Sequence, residues 1–305
     1  MRRQFLRCAC AALGLILAAC GSSSSSGSTS APGSSTKPTE PTVTQPVTVP
    51  DTVTPTSGPV ITEPVTTDPA ATEFVRVYLL VDERLHVFGR AVASASPAEA
   101  VRALLAGPTA SETASGAVTL IPDGTRLNGV TVDGHEATVD LSAEFNTGGG
   151  SLSVMGRIAE VVYTVTQFEG IDTVRFAIDG NVVTELTGEG IGVDGVERMD
   201  FTDLAPFILM ETPWDGATVA QPITVSGMSN TFEAQVNYEL RSTSGTVLVE
   251  GWFMATSGTG TWGTFAATLD ALPAGTTGDV IVRLFEVSSE DGSALNVSEA
   301  LVHLA

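Results

Sequence analysis

Val130-Thr131-Val132-Asp133-Gly134-His135-Glu136-Ala137-Thr138-Val139-Asp140-Leu141 is the stretch whose reading decides the fold. Apolar and polar residues alternate on both sides of Asp133-Gly134, a two-residue hairpin signal. The pattern predicts two antiparallel strands over Arg126–Ser142, with Val132 opposite His135 and Val130 opposite Ala137. One face collects Val130, Val132, His135, Ala137, Val139 and Leu141. The other collects Thr131, Glu136, Thr138 and Asp140. A slip of one residue would turn every side chain over, so an alternation that survives a turn marks a half-buried sheet.

Working outward, Phe74–Val81 is a dense apolar run that reads as a buried strand. Leu85–Val92 is its partner, with the turn at Asp82–Arg84. A helix follows: Ser96 is the N-cap, Pro97 takes the first helical position and Glu99 completes a capping box. Val101, Leu104 and Leu105 form its apolar stripe, and Gly107-Pro108 stops it. Ser151–Phe168 carries two signals. Leu152, Met155, Ile158, Val161 or Val162, Val165 and Phe168 recur at helical spacing, whereas Val161–Thr166 is rich in strand formers. The long periodicity and Gly170 as C-cap favour a helix. Thr173–Ile178 reads as a strand, and Asp179-Gly180 as a turn into Val182–Leu186.

Several short motifs in this half occur in a familiar order. Leu104-Leu105-Ala106-Gly107-Pro108-Thr109, Ile121-Pro122-Asp123-Gly124-Thr125, Ala137–Ser142, Val162–Phe168 and Val174-Arg175-Phe176 followed by Asp179-Gly180 resemble the GerMN domain. That domain is found in sporulation and germination lipoproteins and in lipoproteins of non-sporulating actinobacteria. The resemblance implies a small α+β domain of the ring-building-motif kind over residues 73–187. It implies assembly or binding, with no family catalytic residues to transfer, and it admits self-association.

Residues 188–205 read as linker and turns. From residue 206 to 305 the pattern is all-β, with strands expected at Phe207–Met210, Ile223–Ser226, Ala234–Leu240, Thr246–Phe253, Phe265–Leu269, Val280–Glu286 and Ala300–Leu304. Short strands divided by Gly, Ser and Thr suggest a sandwich. Pro213-Trp214-Asp215-Gly216 and Gly263-Thr264-Phe265 resemble the Gmad-type immunoglobulin-like domain that often follows GerMN.

The other end of the chain gives an address. Arg2, Arg3 and Arg7 precede an apolar run from Cys8 to Ala19 that is short for a membrane span. Leu17-Ala18-Ala19-Cys20 resembles a bacterial lipobox. Residues 1–19 are therefore expected to be a lipoprotein signal peptide, with Cys20 the lipidated residue. A diacylglyceryl cysteine supplies the two chains that stable anchoring requires. Residues 20–72 are Ser-, Thr- and Pro-rich and bury little, so a disordered tether is expected, about 150 Å long if drawn out fully.

Composition excludes several classes. The net charge is −21, and removal of Arg2, Arg3 and Arg7 makes it −24. Nucleic acid and anionic headgroups both need basic surface, so neither is an expected partner. The mature chain would keep one cysteine, already lipidated, which leaves no intramolecular disulfide and no cysteine metal site. His86, His135 and His303 are the only histidines, each alone in or near a strand. No nucleophile elbow, His-Glu-x-x-His or phosphate loop is present. Asp200/Asp203 and Glu290/Asp291 could attract calcium but lack EF-hand spacing. Trp214, Trp252 and Trp262 could stack on sugars, although core packing is the stronger reading of Trp252 beside Phe253. The expectation is a non-enzymatic protein with no catalytic, cofactor or metal residues. It would be anchored to the extracytoplasmic face of the cell membrane, binding an envelope protein or peptidoglycan. A carboxylate-dependent wall hydrolase and a solute-binding lipoprotein are the alternatives.

Overall fold

The computed structural model describes residues 72–187 and 190–305. The expected signal peptide, Cys20 and the expected tether lie outside them. The described chain is an α+β domain followed by a β-sandwich, the two classes that the sequence patterns predict.

In the first domain, β1 (Glu73–Val81) and β2 (Arg84–Val92) pair antiparallel over their whole length. Their turn residues Asp82 and Glu83 both have positive φ, the geometry of a two-residue turn that matches strand twist. Helix α1 (Pro97–Leu105) begins as expected: the Ser96 side chain accepts from the Glu99 amide. Glu99 pairs with Arg102 rather than with the Ser96 backbone, so the capping box is only half made. The full box belongs to a short helix that the sequence reading missed, α2 (Ala110–Ala114), where Thr109 and Glu112 cap each other.

β3 (Leu127–Asp133) and β4 (Glu136–Leu141) form the predicted hairpin one residue out of place. Asp133 pairs with Glu136 and Val132 with Ala137, so the turn is Gly134-His135. Gly134 has φ +57° at the first turn position, which a type II′ turn requires of glycine. Moving the turn by one residue on each strand preserves parity, so Val130, Val132, Ala137, Val139 and Leu141 still share a face. His135 leaves that face for the turn and is exposed.

Helix α3 (Ser151–Val165) then crosses to β5 (Thr173–Ile178), which lies parallel to β4. The helix reading is correct, but α3 has no single apolar stripe. Both Val161 and Val162 are buried, as are Arg157, Glu160 and Thr164, while Leu152 at its start is exposed. A helix covered on nearly all sides needs apolar residues all round, which is why its sequence also looked like strand. The stretch Val182–Leu186 is two strands, β6 (Asn181–Val183) beside β5 and β7 (Glu185–Leu186) beside β8 (Ile191–Gly192).

Residues 190–205 are not a free linker. Val193, Val196, Phe201 and Leu204 are buried in the first domain's core, and Val196 exchanges backbone hydrogen bonds with Val174. Apolar residues spaced among glycines and acidic residues carry no periodicity, so the sequence concealed them.

The sandwich comprises two sheets. One contains β9 (Ile208–Thr212), β11 (Thr224–Ser229) and β14 (Gly263–Thr268), in the order β14-β11-β9. The other contains β10 (Thr218–Val219), β12 (Gln235–Ser242), β13 (Val247–Met254), β15 (Asp279–Val287) and β16 (Ala294–Leu304), in the order β10-β16-β15-β12-β13. All seven expected strands are present. β10 was missed because it is two residues long, and β16 starts earlier than expected. Between the sheets lie Val225, Val236, Leu240, Phe265, Val282, Leu284 and Val302.

Candidate functional site

The two domains meet through a buried polar cluster. Arg198 lies in the 3₁₀ segment Arg198–Leu204, just before the sandwich. Its Nη1 donates to Glu211 Oε1 of β9 at 2.6 Å, Nε donates to Thr166 Oγ1 at 2.6 Å, and Nη2 donates to Tyr163 O at 3.1 Å. The Tyr78 hydroxyl of β1 donates to the same Glu211 oxygen. The guanidinium also sits 4.9 Å from the Tyr163 ring centroid and 5.5 Å from that of Tyr78, within cation–π range. Burial alone would raise the Glu211 pKa, but Arg198 and Arg76 and the hydrogen bonds from Tyr78 and Arg198 outweigh it and hold the carboxyl below its ordinary value. Burial pushes both tyrosines up, so they stay neutral donors.

Apolar contacts extend this junction. Leu209 and Met228 of the sandwich belong to the first domain's core. Trp214 lies against Phe74 with ring centroids 5.9 Å apart, and directly over Gly89. A Cβ at Gly89 would lie 2.0 Å from the indole nitrogen, so only glycine permits this approach. Trp262 stacks on Phe207 at 6.3 Å. Trp252 does not pack in the core as expected. It is 62% exposed, because its position on β13 points outward while Phe253 points in.

A second feature brings together two of the motifs that carried the resemblance. Leu104–Pro108 and the segment from Thr119 to Thr125 line a depression of about 270 Å³. Glu160 of α3 lies beneath it, accepting from the Leu120 amide at 2.7 Å and from the Thr119 hydroxyl at 2.5 Å. Burial is the main influence on this carboxyl and raises its pKa to about 8. One turn away, Arg157 donates to four carbonyls, those of Phe145, Thr147, Gly148 and, through Nε, Ser153. On the other side, Arg90 grips Glu112 and donates to Gly107 O at 3.0 Å, fixing the turn between α1 and α2. These buried ionisable side chains hold the loops in place and were not singled out in the sequence. The only signal available was Arg157 and Glu160 standing inside an otherwise apolar helix.

The remaining candidates are dispersed. His86 rests on Phe88 at 4.8 Å, and burial lowers its pKa. His135 pairs with Asp172, and His303 with Asp279. Asp200 accepts from the Glu197 amide, and Asp291 accepts from Ser293, so each acidic pair has a member engaged in a local turn. No group of three or more His, Cys, Asp or Glu side chains converges on a metal position among the described residues. No helix among them is long and apolar enough to cross a membrane.

An α+β domain packed against an immunoglobulin-like sandwich is the class this architecture defines. Family models specify it further. One described as "Sporulation and spore germination" (Germane) matches residues 65–184, and one described as "Immunoglobulin-like domain of bacterial spore germination" (Gmad2) matches residues 207–293. The chain thus carries a GerMN domain followed by a Gmad-type domain. Solved structures similar to it include the first GerMN domain of the sporulation protein GerM from Bacillus subtilis. That similarity is 25% identity over 42% of this chain and 100% of that one, with a TM-score of 0.34. The tandem GerMN domains of the same protein are 19% identical over 66% of this chain and 62% of that one, with a TM-score of 0.36. A presumed lipoprotein from Clostridium perfringens is 16% identical over 44% of this chain and 93% of that one, with a TM-score of 0.32. No curated protein matches the chain.

Proposed function

We propose that this protein is a lipid-anchored, extracytoplasmic adaptor that binds an envelope protein. The observation that carries the reading is the Arg198–Glu211–Tyr78 junction. It holds the two domains together through buried contacts, as a presenting scaffold requires. The lipobox ending in Cys20 supports the anchor, and the acidic surface disfavours nucleic acid and anionic lipid as partners. Peptidoglycan is the second reading. Its one favouring observation is Trp252, exposed on an open sheet face where a sugar ring could stack.

Two measurements test this. Palmitate-analogue labelling should mark the wild type and not Cys20→Ser, and the variant should leave the membrane fraction. Crosslinking in intact cells should recover one dominant protein. Recovery of glycan alone, or hydrolysis of peptidoglycan abolished by a carboxylate substitution, would overturn the adaptor reading.

A further inference from the structure

Strand β13 is an edge of the five-stranded sheet, eight residues long, with no neighbour on its outer side among the described strands. The Ala255 amide donates to Ala234 O, and the register continues through Val236↔Phe253, Tyr238↔Gly251 and Leu240↔Val249. In an antiparallel ladder, alternate residues direct their N–H and C=O groups at the partner. Val249, Gly251 and Phe253 therefore face β12, and the backbone groups of Glu250, Trp252 and Met254 point away from it. The same three residues carry their side chains on the outer face of the sandwich. Trp252 and Met254 are 62% and 54% exposed. An edge of this length bearing large apolar side chains invites another strand, and proteins ordinarily blunt or cover such edges.

The charge pattern selects the occupant. Glu250 stands beside Glu239 on β12. Glu239 is engaged by Arg241 and Arg283, whereas Glu250 has no ion-pair or hydrogen-bond partner among the described residues. We infer that β13 receives an extended segment of a partner polypeptide, with apolar side chains at alternate positions lying on Trp252 and Met254 and a lysine or arginine beside Glu250. Main-chain hydrogen bonds to the three outward residues hold the segment, and the alternate side chains select it. A second copy fits less well. Each copy brings the unpaired Glu250 and a strongly acidic surface to the interface. The inference deepens the adaptor reading by giving its protein partner an address on the sandwich.

The test uses the full chain in detergent and a blocked synthetic peptide alternating valine with threonine and carrying one central lysine. Amide hydrogen exchange is followed at Glu250, Trp252 and Met254. The peptide should slow exchange there by about ten-fold or more, the effect of a local stabilisation of roughly 1.4 kcal/mol. A peptide with glutamate in place of lysine should bind about ten-fold more weakly, and Glu250→Lys should reverse that order. Trp252→Ala, a surface change that leaves the fold intact, should remove the protection. No protection at millimolar peptide would overturn the inference. So would edge amides already protected without peptide, whether the protection disappears on dilution, which assigns the edge to a second copy, or persists. The peptide measurement examines the edge alone and the cellular crosslinking examines the adaptor reading, so either can fail without the other.

Discussion

Replacing Glu211 with leucine removes the acceptor shared by Arg198 and Tyr78. The guanidinium then stays in the junction with its charge unbalanced. Removing one member of a buried pair costs about 3–5 kcal/mol. The Arg198 and Glu211 side chains retain 20% and 13% of their exposure, so water reaches the pair and the lower end, about 3 kcal/mol, applies. For a folded region of this size, each kcal/mol lowers Tm by about 2–4 °C, which gives a drop of roughly 6–12 °C. Urea unfolding followed by circular dichroism measures the free-energy loss, and a thermal melt measures the drop in Tm. The double variant Arg198→Met/Glu211→Leu removes both charges and should be less destabilised than Glu211→Leu alone, because apolar residues of similar volume often replace a buried pair at little cost. The sign with pH follows from the depressed Glu211 carboxyl. Its contribution is present above about pH 4.5 and fades as pH falls through the lower folded value, so wild type and Glu211→Leu should converge in acid. A single variant costing under about 1 kcal/mol, or a double variant whose loss equals the sum of the two singles, would refute the reasoning.

Glu160 titrates with the opposite sense. Its folded pKa of about 8 exceeds the ordinary 4.5, so the stability it confers is complete below about pH 4.5 and is lost as pH rises through 8. Glu160→Gln should flatten that decline in a series of urea midpoints between pH 5 and 8.5. Gly89→Val drives a side chain into Trp214 and should cost about 1–3 kcal/mol as overpacking, with a red-shifted tryptophan emission before global unfolding. Arg90→Met leaves the Glu112 carboxylate buried without its cation. It should cost about 3 kcal/mol or more by thermal melt and speed amide exchange across Gly107–Glu112.

Where apolar and polar residues alternate, the fold was legible, and so was the start of α1, although the reciprocal Thr109–Glu112 cap of the short α2 was overlooked. The hairpin's faces, the Ser96 cap and the seven sandwich strands all follow from period-two alternation or local hydrogen-bonding chemistry. The turn at Gly134-His135 was misplaced by one residue because Asp133-Gly134 and Gly134-His135 satisfy the same composition rule for different turn types. Gly134 has positive φ in either, and what separates them is Asp133, which keeps a strand conformation and pairs with Glu136. The motif-lined depression was legible as motifs but not as a place, since nothing in the spacing says that Leu104–Pro108 and Thr119–Thr125 meet. The junction was not legible at all. Tyr78, Tyr163, Arg198 and Glu211 are distant in sequence, and each alone looks like an ordinary strand, helix or turn residue. Trp252 shows the converse error: hydrophobicity predicted burial, but on an edge strand parity decides, and its parity is outward.

The way residues 190–205 are packed bears on modularity. The matched family regions stop at 184 and resume at 207, yet Val193, Val196, Phe201 and Leu204 between them fill the first core, and Leu209 and Met228 beyond them complete it. Cutting the gene at either family boundary would leave the excised piece with an open apolar seam. Shuffling this GerMN unit onto another chain would require the intervening stretch and one sheet of the sandwich to travel with it.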